Sequence, residues 1–166
     1  MPMSLDGPVV SQISDEIFTR LETMVAGANG PYEFAGVMRP TKLATYTPEH
    51  LLIVQTRGES VRVPDLDCPG NPPAIAMQQT FLIRVHIAPS ERDPQPVEFY
   101  EDIAEAEIQK AICYDQDTWH TFGGNAINAM FGSIQTVTSD GGYDGISIPL
   151  DVTYRYSEGD PYEVRA

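Results

Sequence analysis

The sequence predicts an α+β domain, a mostly antiparallel sheet with two helices packed on one face. Three observations carry that reading. Two segments repeat apolar residues at helical spacing, and several others alternate at period two. The order of these segments is helix, strands, long loop, strand, helix and closing hairpin, not a regular strand–helix alternation. At 166 residues the chain suits one domain, 1–166, able to bury a core without disulfides or metal.

The first helix is read in "ISDEIFTRLETMVAGANG". Ser14 serves as its N-cap, with Asp15 and Glu16 at the positive end of the helix dipole and Ile13 and Phe18 as a hydrophobic staple. Ile17, Leu21, Met24 and Ala28 form its apolar stripe, and Gly27 or Gly30 stops it. "YEFAGVMRP" reads as a short strand ending at Pro40, and "TKLATYTPE" as a further extended piece or loop. "HLLIVQT" is a compact buried strand.

The stretch "RGESVRVPDLDCPGNPPA" holds four prolines and two glycines in eighteen residues and reads as a long loop. Residues 57–76, which carry Arg57, Glu59, Arg62, Asp65 and Asp67, are too long and rich in proline for a mere connector. In "IAMQQTFLIRVHIA", Phe81, Ile83, Val85 and Ile87 form the core face. Thr80, Leu82, Arg84 and His86 form a mixed face suited to a subunit neighbour.

"VEFYEDIAEAEIQKAIC" is the second helix, with Tyr100, Ile103, Ala104, Ile108, Ala111 and Ile112 on its apolar side. "YDQDTWHTFGGN" breaks the pattern. "AMFGSIQTVTSDGGYDGISIPLDVTYRYSE" reads as two strands around a "DGGYDG" turn. Ile146, Ile148, Leu150, Val152, Tyr154 and Tyr156 share one face of the last strand, and Ser147, Asp151, Thr153 and Arg155 share the other. Pro149, with no donor for the ladder, favours an edge or a bulge. Residues 1–12 and 158–166 are expected as mobile or partner-bound arms.

Charge narrows the function. Ten Lys and Arg against 24 Asp and Glu give a net charge of −14, the wrong sign for wrapping nucleic acid. No apolar run reaches the ~18 residues of a membrane span, and "MPMSLDGPVVSQ" carries neither the basic leader nor the apolar core of an export signal. Cys68 and Cys113 are too few for a disulfide framework, which fits a reducing cytoplasm.

Motifs of chemistry are weak. His50, His86 and His120 lie far apart, and the two cysteines have no near partner for zinc. "DLDCPGNPPAIA" begins like a calcium loop at Asp65 and Asp67, then fails where Pro69 and Ala76 replace ligands. No phosphate loop, nucleophile elbow or zinc-protease signature is present. We therefore expect a protein that is not an enzyme, with no cofactor, catalytic residue or metal.

Four stretches carry a family resemblance: "FAGVMRP", "HLLIVQTRGES", "QQTFLIRVHIAPSERDPQPVEFYEDIAEAEIQKAI" and "GSIQTVTSDGGYDGISIPLDVTYRY". In order and polarity they resemble the tail terminator proteins of long-tailed bacteriophages, the family to which the lambda terminator belongs. The loop "RVPDLDCPGNPPA" is longer and richer in proline than that family's pattern.

The resemblance implies a homo-hexameric ring that caps the tail tube, ends its polymerisation and meets the head-side connector. Its partners would be the tail tube protein and the connector, with DNA passing the channel without specific binding and no membrane involved. Its place would be the head-proximal end of the virion tail, after assembly in the host cytoplasm. Thr80, Arg84, His86 and Arg155 would then be sheet-face subunit contacts, and residues 57–76, with Arg57, Glu59, Arg62, Asp65 and Asp67, an assembly loop projecting from the ring toward a neighbouring ring or the channel. The alternatives are a neck or tail-completion protein or, in another class, a small enzyme or a non-viral interaction domain.

Overall fold

The computed structural model describes residues 7–26, 34–40, 50–88, 95–139 and 142–165. Helix α1 spans Val9–Ala26, strand β1 Gly36–Met38, β2 Leu52–Arg62, β3 Ala74–His86 and helix α2 Val97–Ile112. Strands β4 (Asn128–Phe131), β5 (Gln135–Ser139), β6 (Gly142–Ser157) and β7 (Asp160–Val164) complete a seven-stranded sheet. The strand order is β1-β2-β3-β6-β4, with β5 and β7 also pairing β6. Among the described residues only β1 and β2 run parallel. The α+β class and the two-helix layer are as the sequence predicts.

Period-two alternation sets the sheet's two faces. Phe81, Ile83, Val85 and Ile87 are buried, as are Ile146, Ile148, Leu150, Val152 and Tyr154. They meet Val9, Ile13, Ile17 and Leu21 of α1 and Tyr100, Ala104, Ile108 and Ile112 of α2 in one core.

Helix α1 starts earlier than its best capping residue suggests. The Pro8 carbonyl accepts from Ser11 at 2.7 Å and Gln12 at 3.1 Å, so the helix opens on Val9. Ser14 is therefore not an N-cap but a buried residue within the helix, where its carbonyl and hydroxyl receive the Gln55 side chain. Ile13 is core rather than staple. Residues 9–12, expected in an arm, form the first turn because Val9 lies on the apolar stripe. The expected helix stop at Gly27 or Gly30 and the reading of "TKLATYTPE" fall outside the described residues.

Arg20 joins the helical layer. Its guanidinium bonds Glu16 at 3.0 Å, the Ile112 carbonyl at 2.8 Å and the Trp119 carbonyl at 3.0 Å. It also lies 4.5 Å over the Phe122 ring. A cation at the end of α2 answers both the helix dipole and a carbonyl left without an intrahelical donor. Phe122 takes a left-handed backbone at φ 46 and is buried beneath this group.

Three readings of the closing strands are corrected. First, "AMFGSIQTVTS" is two strands, β4 and β5, with a break at 132–134. Second, of the edge or bulge expected for Pro149 only the edge is overturned: the residue is central, and it lies opposite an irregularity where the pairing steps from Phe131↔Leu150 to Gln135↔Ser147. It faces β3 on one side and the β4–β5 break on the other, where its carbonyl accepts from Gly132 at 2.9 Å. A strand residue's N and O point to the same side, so the donor that proline lacks falls where no ladder partner stands. Gly132 is required here, since a Cβ would lie 2.9 Å from the Pro149 ring.

Third, the segment 158–165, expected as a mobile or partner-bound arm, is paired into the sheet of its own chain. The chain turns at Glu158 and Gly159 and returns as β7, pairing Val164 with Tyr156 and Asp160 with Ser157. Ala166 lies outside the described residues.

Two substitutions test this packing by chemical denaturation. Ile83→Ala should cost about 2–5 kcal/mol, because Ile83 is fully buried beneath the helices. An unchanged midpoint would mean that the core face of β3 is wrongly assigned. Arg20→Met keeps most of the bulk but leaves two carbonyls without their donor, and should cost about 2–4 kcal/mol.

Candidate assembly surfaces

Strand β2 has two unlike halves. Leu52, Ile53, Val54 and Gln55 are buried, whereas every residue from Arg57 to Arg62 is exposed. Strand β1 covers the outer margin of β2 only at 52–54, so from Gln55 to Arg62 that margin has no strand partner among the described residues. The expected long loop of residues 57–76 is thus strand at its two ends, 57–62 and 74–76, and β2 and β3 form one extended hairpin. Its ladder steps from Arg57↔Phe81 to Ser60↔Gln79, leaving a bulge at Gly58 and Glu59. The buried Gln79 amide secures the bulge by donating to the carbonyls of Gly58 at 3.1 Å and Glu59 at 3.2 Å.

Only residues 63–73 form the connection, and they are tied down. Pro64–Leu66 make a 3₁₀ turn that places Asp65 outward. Asp67 accepts from the Ala76 amide at 2.7 Å and pairs with Arg62 at 2.8 Å. Cys68 and Ala74 bridge in antiparallel fashion. Arg155 donates to the Leu66 carbonyl at 2.6 Å, and Arg165 to the Pro72 carbonyl at 3.3 Å. Of the five residues expected on an assembly loop, Arg57, Glu59 and Arg62 lie on β2 or its bulge. Asp65 and Asp67 lie in the tip, and Asp67 with Arg62 holds it shut.

The face of the sheet away from the helices carries Thr80, Arg84, His86 and Arg155. Thr80 donates to Asp151 across the β3–β6 ladder. Arg84 is exposed. Burial pushes the His86 imidazole below its usual pKa, helped by Arg84 and opposed by Asp144. Arg155 faces Ala76, four residues along β3 from Thr80, or about 13 Å at the usual strand rise. These four share a face but not one site, and Arg155 is occupied by the tip.

The three histidines are also separate. His50 Nδ1 donates to the Ala88 carbonyl and its ring meets the Tyr100 ring edge-on at 4.6 Å. His120 sits beside Trp119 in a 3₁₀ turn. Among the described residues no group of three or more His, Cys, Asp or Glu is placed to hold a metal ion.

The geometry defines an α+β domain with an extended hairpin and an open sheet margin. The chain matches no protein-family model and no curated protein.

Asp67 sets the pH response of the tip. The Ala76 amide, then the Arg62 guanidinium, holds its carboxyl below the ordinary value. Its contribution is therefore present above the unfolded carboxylate pKa of ~3.9 and is lost as pH falls through the lower folded value. Protection of the Ala76 amide, taken relative to the intrinsic exchange rate at each pH, should be high at pH 5 and fall below about pH 4. Asp67→Ala should give low protection at both, and equal protection in the two proteins at pH 5 would refute this role.

Proposed function

We propose that this protein is a phage tail terminator, a hexameric ring that caps the tail tube, stops its growth and presents a surface to the head-side connector. The observation that carries the reading is the margin of β2 from Gln55 to Arg62, without a strand partner among the described residues and exposed from Arg57 onward. An extended margin of this kind offers backbone groups to a neighbouring copy. The family resemblance of the four quoted stretches supplies the particular assembly. A surface of net charge −14 suits a channel through which DNA slides without adhering. The ring would stand at the head-proximal end of the tail, between tube protein and connector.

Purified protein imaged by cryo-electron microscopy at high concentration, alone and with tube ends, should show six-membered rings. A chain that is monomeric both free and within particles overturns the reading. A second test addresses the tip. Replacing residues 64–73 by a short Gly/Ser link leaves both strands of the hairpin, so the subunit should fold. Micrographs should then show over-grown tails or tails unjoined to heads, whereas normal infectious particles would leave the tip without a part in assembly.

A further inference from the structure

A cleft of about 280 Å³ opens where β1 leaves β2, lined by Ser14, Arg39, Pro40, Gln55, Thr56 and Arg57. The parallel pairing ends at Met38↔Val54, and Arg39 and Pro40 follow. Arg39 is braced from behind, bonded to Asp15 at 2.6 Å and lying 4.4 Å over the Phe18 ring. Arg57 reaches back to the Ser11 hydroxyl at 3.3 Å. Between them Gln55 is 2% exposed. Its Nε2 donates to the Ser14 carbonyl at 3.0 Å, which fixes the amide, because the flipped form would oppose two acceptors. Among the described residues Gln55 Oε1 has no hydrogen-bond partner. The site therefore combines two guanidinium groups with a buried acceptor in need of a donor.

We infer that this cleft receives the β6–β7 turn of a second copy, with Glu158 and Asp160 set between Arg39 and Arg57 and an N–H of that turn given to Gln55. The inference rests on the ring reading above and names its contact. Charge favours it: in a chain with ten basic residues against 24 acidic ones, two arginines line this one cleft. Size favours a turn, since ~280 Å³ admits one or two side chains but not the acidic flank of α2 with Glu98, Glu101 and Asp102.

Placement agrees as well. In strand order β2 and β7 lie on different margins of the sheet, and residues 158–164 are all exposed, with Tyr162 at 60%. A contact between two unlike margins is head-to-tail, the kind that closes into a ring. Pro161 removes a backbone donor from β7, which favours insertion of side chains over a continuous intermolecular ladder.

Native mass spectrometry of the full chain tests the contact by charge reversal. Arg39→Glu/Arg57→Glu and Glu158→Lys/Asp160→Lys should each weaken assembly roughly 30-fold or more, and their equimolar mixture should restore rings of alternating subunits. Arg57→Glu alone, which gives up one hydrogen bond to Ser11, serves if the double variant unfolds. Rings that persist in these variants overturn the contact and leave the ring reading standing. Rescue by Glu98→Lys/Glu101→Lys/Asp102→Lys instead of the turn variant overturns the assigned occupant. A wild type that never oligomerises, free or in particles, overturns the contact and the ring together.

Discussion

The antiparallel ladder between β3 and β6 is the contact on which every other element depends. It runs without a register shift from Ala74↔Ser157 to His86↔Gly145. One face of it supplies most of the sheet's share of the core, and both helices seal that face. The outer side of β6 then templates β4, β5 and β7, while the outer side of β3 templates β2. At Gly145 the ladder leaves no room for a side chain, because a Cβ there would lie 1.9 Å from the Val85 carbonyl oxygen. Register at that end is consequently fixed by a glycine as well as by the alternation of apolar residues.

Polar groups do the fine positioning around this frame. Arg20 gathers the end of α2, the Trp119 turn and the Phe122 ring around one planar cation. Trp119 in turn stacks on Phe131 of β4 at 5.8 Å, so the irregular segment between α2 and β4 is joined to both layers. Asp67 plays the matching part at the far end of the hairpin. Its two oxygens serve a backbone amide and a guanidinium, and they convert a proline-rich crossing into a defined tip.

Much of this was legible in the sequence, and the misses share a cause. The core faces of β3 and β6 and the stripe of α2 follow from spacing alone, because burial imposes those periods. The start of α1 was misplaced since Ser14 followed by Asp15 and Glu16 is a strong local capping signal, yet Val9 and Ile13 fit the core and carry the helix back to Pro8. The outer half of β2 read as loop because exposed hairpin strands have no apolar alternation to reveal them. Likewise, β7 contains a proline and acids, and only its pairing with β6 defines it. Arg57, Glu59, Arg62, Asp65 and Asp67 fell on the right segment, but nothing local foretold that Arg62 and Asp67 bind each other. The cleft was missed entirely. Arg39, Gln55 and Ser14 are far apart in sequence, and no pattern marks residues that meet only after α1 crosses the sheet edge.

The position of β6 late in the chain has a consequence for how the molecule comes into being. As a nascent chain is threaded out of the ribosome, β3 emerges well before β6, the strand that pairs it along its whole length. The edge of β3 that pairs β6 must wait, open, until residues through Ser157 follow. Pairings such as Ala74 with Ser157 are widely separated along the chain, and such contacts form slowly because a large loop must close first. Until then the β2–β3 hairpin is a half-finished sheet with an adhesive flank, the condition in which a crowded cell most readily mispairs one chain with another. The exposed charges of the outer hairpin, Arg57, Glu59 and Arg62, are already present during that interval, and they keep the waiting strands in solution.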